Sequence, residues 1–168
     1  ALVIAAFLGG AVLAGFIIQR QTLKLGRRYG VALGIEGTLL GAAALLMRHQ
    51  HEAGAYLASA AFGLQNAMAT TYSGAILRTT HVTGIVTDLG ALLGHALRGL
   101  EVDGARLRLY AWVLAAFTLG GALGGALFQI VGTDALFYPA GLTLLVAVAY
   151  GIYAHRVRIR ASSSPPPP

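Results

Sequence analysis

The chain has 168 residues, of which 57% are hydrophobic and 11% charged, against about 25% charged in a typical soluble domain. That deficit, with a mean hydropathy of +0.71, fits one membrane domain and excludes an ordinary soluble one. The absence of cysteine excludes disulfide, zinc-thiolate and iron–sulfur chemistry. The net charge of +6 does not indicate nucleic acid, because the basic residues sit at the ends of apolar runs, as membrane loops do.

A membrane-crossing helix needs roughly 20 mostly apolar residues. The first candidate is Ala1–Ile18, followed by the basic loop Gln19–Arg28. This run lacks the basic n-region of a signal peptide, and its start reads as a truncation. A second helix is expected over Tyr29–Met47, with one carboxylate, Glu36, inside it. Arg48–Glu52 reads as a polar loop and Ala53–Thr71 as a third helix. A weaker segment, Thr80–Leu97, carries Thr83, Thr87, Asp88 and His95. Arg98–Arg108 reads as a mixed-charge loop, Tyr110–Val131 as a helix and Gly132–Asp134 as a turn. Ala135–Ala154 reads as the last helix, with Pro139 near its start. The domain ends at about residue 157, and the Ser/Pro-rich tail 158–168 cannot build a core.

The excess of Lys and Arg on cytoplasmic loops decides whether Thr80–Leu97 crosses. If it does not, Arg20, Lys24, Arg27, Arg28, Arg78, Arg98, Arg106, Arg108, Arg156, Arg158 and Arg160 share one side, and Arg48 is alone on the other. If it does, the bias disappears. The expected fold is therefore an all-α polytopic bundle of five crossing helices with one re-entrant or half-depth segment. The C-terminus faces the cytoplasm.

An internal repeat fits this layout. Residues 1–19 align without gaps on 111–129, matching at Ala1/Ala111, Val3/Val113, Ala5/Ala115, Ala6/Ala116, Phe7/Phe117, Gly10/Gly120, Leu13/Leu123, Gly15/Gly125 and Gln19/Gln129. Shared Ala, Gly and Leu bias explains part of this; the Phe and Gln matches are harder to attribute to it. With the topology above the repeat is inverted, as in many transporters.

The most polar long run is Gly63–Gly94. Polar groups at membrane depth are costly and usually face a cavity, a pathway or each other. On a helix Thr80, Thr83, Gly84, Thr87 and Asp88 share one face. A helix broken at Gly84 could hold an ion or small polar solute there, with Asp88 as the cation or proton group. Alternatively Asp88 is solvated at the interface or caps a short helix. Gln65 and Asn66 either face the same cavity or hydrogen-bond a neighbouring helix. Glu36 either relays a proton or pairs with Arg78, or is a buried, protonated acid. Arg78 attracts an anion or snorkels to the surface, and His81 is read as a hydrogen-bonding residue. His49 and His51 lack a third ligand, so no metal is expected.

The wording of GLQNA at Gly63–Ala67 and RTTHVTGIVTDLG at Arg78–Gly90 resembles the YoaK family of bacterial membrane proteins, also called DUF1275. The resemblance covers residues 1–157. It implies a multi-pass protein of the bacterial inner membrane, described as uncharacterised or as a candidate transporter. Members carry an Ala-Gly-x-x-Asp-Ala helix and a Met-Thr-Gly-Asn motif in their first half. Neither is present here, which matches the truncation read at Ala1.

No nucleophile elbow, Walker loop, Rossmann fingerprint or HExxH occurs, so neither an enzyme nor a cofactor is expected. The function expected is transport of a small solute or ion. Gln65, Asn66, Thr80, Thr83, Gly84, Thr87 and Asp88 would bind the solute, and Glu36 or Asp88 would be the coupling acid. The alternative is a non-transporting membrane subunit that binds another membrane protein. The partners expected are the lipid bilayer, the solute and a second copy packed through Gly120, Gly121, Gly124 and Gly125. Nucleic acid is not among them.

Overall fold

The computed structural model describes residues 1–18, 27–72 and 82–162. Six α-helices and one 3-10 turn account for nearly all of them, with no strand among the described residues. The helices are α1 (Leu2–Ile17), α2 (Arg27–Arg48), α3 (Ala53–Tyr72), α4 (Val82–Leu97), α5 (Gly104–Val131) and α6 (Phe137–Ser162), and the 3-10 turn Gly132–Leu136 joins the last two. The first four start and stop within two residues of the expected runs, because polar clusters bracket each apolar stretch.

The helix α5 corrects the expected loop Arg98–Arg108. It begins at Gly104, because the Asp103 side chain accepts from the backbone N–H groups of Ala105 (2.9 Å) and Arg106 (3.1 Å). Such a cap satisfies donors that a helix start leaves open. The helix α6 runs on to Ser162, so part of the expected tail is helical. The rest of the tail, and the loop around Arg20 and Lys24, lie outside the described residues.

The helices form two units. The first holds α1, α2, α3 and α6. Here α1 and α3 run parallel and in backbone contact. The Ser59 hydroxyl donates to the Val3 carbonyl at 2.8 Å. Gly63 lies against the Phe7 backbone and Gly10 against the Ala60 carbonyl. Further along, Ala14 of α1 and Ile18 just past its end join Leu64 and Met68 of α3 in one buried cluster with Tyr29 and Ala32 of α2. The stripes Ala6–Gly10–Ala14 and Ser59–Gly63–Ala67 allow this approach, since small residues every fourth position let membrane helices touch.

The helix α2 runs antiparallel to both α3 and α6. Leu40 packs with Ala61 and Ala140. Gly30 faces Tyr150, Gly37 faces Leu144, and Arg48 Nε lies 3.9 Å from Asp134 Oδ1. This fixes the ends of the unit. Residues 18, 29, 72 and 150 lie toward one end, and residues 3, 48, 53 and 134 toward the other.

The second unit is the pair α4 and α5. A helix-ending turn closes α4: Gly99 N–H donates to Ala96 O (3.0 Å) and Leu100 N–H to His95 O (3.1 Å), with Gly99 at φ +73°. That left-handed φ suits glycine. Tyr110 of α5 and Ile85 of α4 are buried. Arg106 donates from Nε to the Tyr110 hydroxyl at 3.1 Å and lies 5.4 Å from its ring centre.

The distribution of side chains is the reverse of a water-soluble core. The interior is built largely from Ala and Gly, while Ile4, Phe16, Leu119, Leu123, Ile130, Leu142 and Leu145 point outward. Two stretches are long and apolar enough to cross a membrane, Arg28–Arg48 and Gly104–Arg156, the second comprising α5 and α6. The second is hardly buried, which a soluble core helix would be. α1 and α4 are shorter apolar helices.

Candidate functional site

Glu36 is the most unusual residue of the four-helix unit. It occupies the α2 face that also carries Ala32 and Leu40, four residues before and after it. That face turns inward where α2 packs against α3 and α6. The Glu36 residue is 1% exposed, and neither carboxyl oxygen has a hydrogen-bond partner among the described residues. By register the residue opposite it on α3 is Leu64, and on α6 Leu144. Tyr29, seven residues earlier, is also buried. Thr143, half-buried, shares the α6 face of Ala140 and Ala147. Neither Tyr29 nor Thr143 was singled out from sequence, although the seven-residue spacing from Tyr29 to Glu36 was a usable signal.

Gln65 and Asn66 are neighbours on α3 but differ in setting. Gln65 is exposed and Asn66 half-buried. The next turn closes its hydroxyls onto the helix, with Thr70 donating to Asn66 O and Thr71 to Ala67 O, both at 2.8 Å. Ser59 ties α3 to α1.

The remaining candidates belong to the other unit. Thr83, Gly84, Thr87 and Asp88 are exposed on α4. Val82–Leu97 is one continuous helix, with Gly84 in its first turn. A Cβ at Gly84 would meet nothing within 4 Å. The Thr87 hydroxyl donates to Thr83 O at 2.8 Å, and Asp88 Oδ2 lies 3.9 Å from Arg106 Nη2. Thr80, with Arg78 and His81, lies outside the described residues. The candidates thus divide into a buried acid with two amides in one unit and a hydroxyl–carboxylate face in the other. Among the described residues no three His, Asp or Glu side chains gather as metal ligands would.

These features define an all-helical protein whose apolar helices are compatible with a membrane location, with one acid sealed among them. The sequence profile of the family described as protein of unknown function DUF1275 matches residues 1–149. The chain belongs to the DUF1275 family. No curated protein and no solved structure matches it.

Proposed function

We propose that the chain is a multi-pass transporter of a small solute or ion in the bacterial inner membrane, with its C-terminus in the cytoplasm and no catalytic activity. The observation that carries this reading is the Glu36 carboxyl, buried among helices with neither oxygen partnered among the described residues. An acid at membrane depth is expensive and marks a pathway or proton relay by default. Asp88 with Thr83, Thr87 and Gly84 on α4 would bind the solute. Glu36 would couple its movement to an ion.

The topology supports five crossings. The end of α3 and the 3-10 turn before α6 lie at opposite ends of the four-helix unit. The chain between them must therefore cross the bilayer an odd number of times. α5 has 28 residues, about 42 Å at the helical rise, against a hydrocarbon core of about 30 Å. α4 has 16 residues and a polar face. One crossing by α5 and none by α4 satisfies the parity and keeps Arg98 on the basic side. The proposed repeat is then inverted, with α1 and α5 crossing in opposite directions.

The test is flux into proteoliposomes holding the full chain, over a panel of cations, anions, amino acids and sugars. Flux of one solute class that is lost in Glu36→Gln supports the reading. Flux of none, or flux indifferent to Glu36, defeats it. A second reading, a non-transporting subunit, is favoured by Gly120, Gly121, Gly124 and Gly125, whose faces meet nothing within 4 Å among the described residues. That surface would suit a second copy or another membrane protein. Cross-linking of cysteines placed at Gly120 and Gly124 would detect such a partner.

A further inference from the structure

We infer that Glu36 is a proton-binding site and that the coupling ion of the proposed transporter is the proton, not a metal cation; its role in coupling rests on the transporter reading. The argument is the composition of the shell. A sodium, potassium or divalent ion needs several oxygen ligands at once. Glu36 supplies two, and its immediate helical neighbours on that face, Ala32 and Leu40, supply none beyond backbone carbonyls engaged in the helix. By register Leu64 lies level with it on α3, and Leu144 and the half-buried Thr143 on α6, so at most one hydroxyl joins the two carboxyl oxygens among the described residues. A proton needs only one oxygen. Binding converts the carboxylate to the neutral acid and changes no other bond, and the neutral acid is the form an apolar interior accommodates.

The titratable groups on the packed elements are few. α2 itself carries Tyr29 and, at its ends, Arg27, Arg28 and Arg48. α3 carries half-buried Tyr56 and, at its last residue, Tyr72. α6 carries Tyr138, Tyr150, Tyr153, His155 and Arg156 among the residues whose side chains are described. α1 carries none. No described carboxylate on these four helices competes with Glu36 for the proton. Asp134, in the 3-10 turn, lies at the Arg48 end and pairs with that arginine. Tyr29 and Tyr150 lie toward the opposite end, where α2 begins.

The experiment is an infrared difference spectrum, wild type minus Glu36→Gln, on the full protein in lipid. A protonated-carboxyl band is expected at neutral pH. It should shift in D2O, bleach at alkaline pH and ignore added sodium, potassium or calcium. Absence of the band at neutral pH would overturn the inference, and so would its loss on adding any of those cations. Size-exclusion of the variant controls for folding. A protein that shows the band but moves no solute keeps the proton site and sinks the transporter reading. One that moves solute without the band does the reverse.

Discussion

Gly10 of α1 lies so close to Ala60 of α3 that a Cβ on the glycine would overlap the Ala60 carbonyl. Gly63 stands in the same relation to the Phe7 carbonyl. These are backbone contacts, which cannot yield by turning a side chain. Gly10→Val or Gly63→Val should therefore destabilise by roughly 1–3 kcal/mol or more, the cost of overpacking. Gly37→Ala meets mainly the Leu144 side chain, at 2.6 Å, which can turn away. Thermal unfolding in detergent should rank Gly37→Ala as the milder change; equal losses would refute the backbone contact.

Glu36→Leu should raise thermal stability. An unsatisfied buried polar group costs about 1–3 kcal/mol, and leucine removes it among apolar neighbours. On the proposed function the same variant should abolish flux, as should Glu36→Gln. A stability that falls would mean the carboxyl holds the helices together.

Gln50 is the one described non-glycine residue at positive φ, +58°. It closes α2, where Gln50 N–H donates to Met47 O at 3.0 Å and His51 N–H to Leu46 O at 2.9 Å. A left-handed non-glycine costs about 1–2 kcal/mol. Gln50→Gly should recover about 1 kcal/mol of this, read as a raised midpoint of unfolding.

Asp88 and Arg106 have side chains 52% and 53% exposed. So open a pair contributes at most about 1 kcal/mol. Asp88→Asn should leave the unfolding midpoint nearly unchanged and, on the proposed function, lose flux. Unchanged flux would remove Asp88 from the site.

Side assignment is best read with cysteines, since the chain has none. Gly99 and Gly132 are poor positions, with φ of +73° and +61°. Glu101→Cys and Thr133→Cys avoid that strain. With an impermeant thiol reagent on intact cells, Thr133→Cys should label and Glu101→Cys should not. Labelling of Glu101→Cys would mean that α4 crosses.

Much of this architecture was legible from local chemistry. Arg48–Glu52 separates α2 from α3 because a polar cluster cannot continue an apolar helix. The start of α5 was missed because Arg106 and Arg108 were read as loop charges, although Asp103 followed by Gly104 carries a helix-start signal. Arg106 then finds Tyr110 one turn on, a spacing visible in the sequence. Glu36 stood out as the lone acid of its helix. Its isolation did not, because that depends on α3 and α6 closing over α2 from distant parts of the chain. The adjacent amides Gln65 and Asn66 were grouped together, yet helical rotation gives them different surroundings.

Trp112 is the chain's single tryptophan, lies early in α5 and is 74% exposed. Its fluorescence consequently comes from one unit alone, and the helices around Glu36 are dark at tryptophan wavelengths. Brominated lipids can then gauge the depth of α5 with no label attached. A solute that shifts the emission has altered the surroundings of that helix, while a proton arriving at Glu36 should leave the signal unchanged unless the two units communicate.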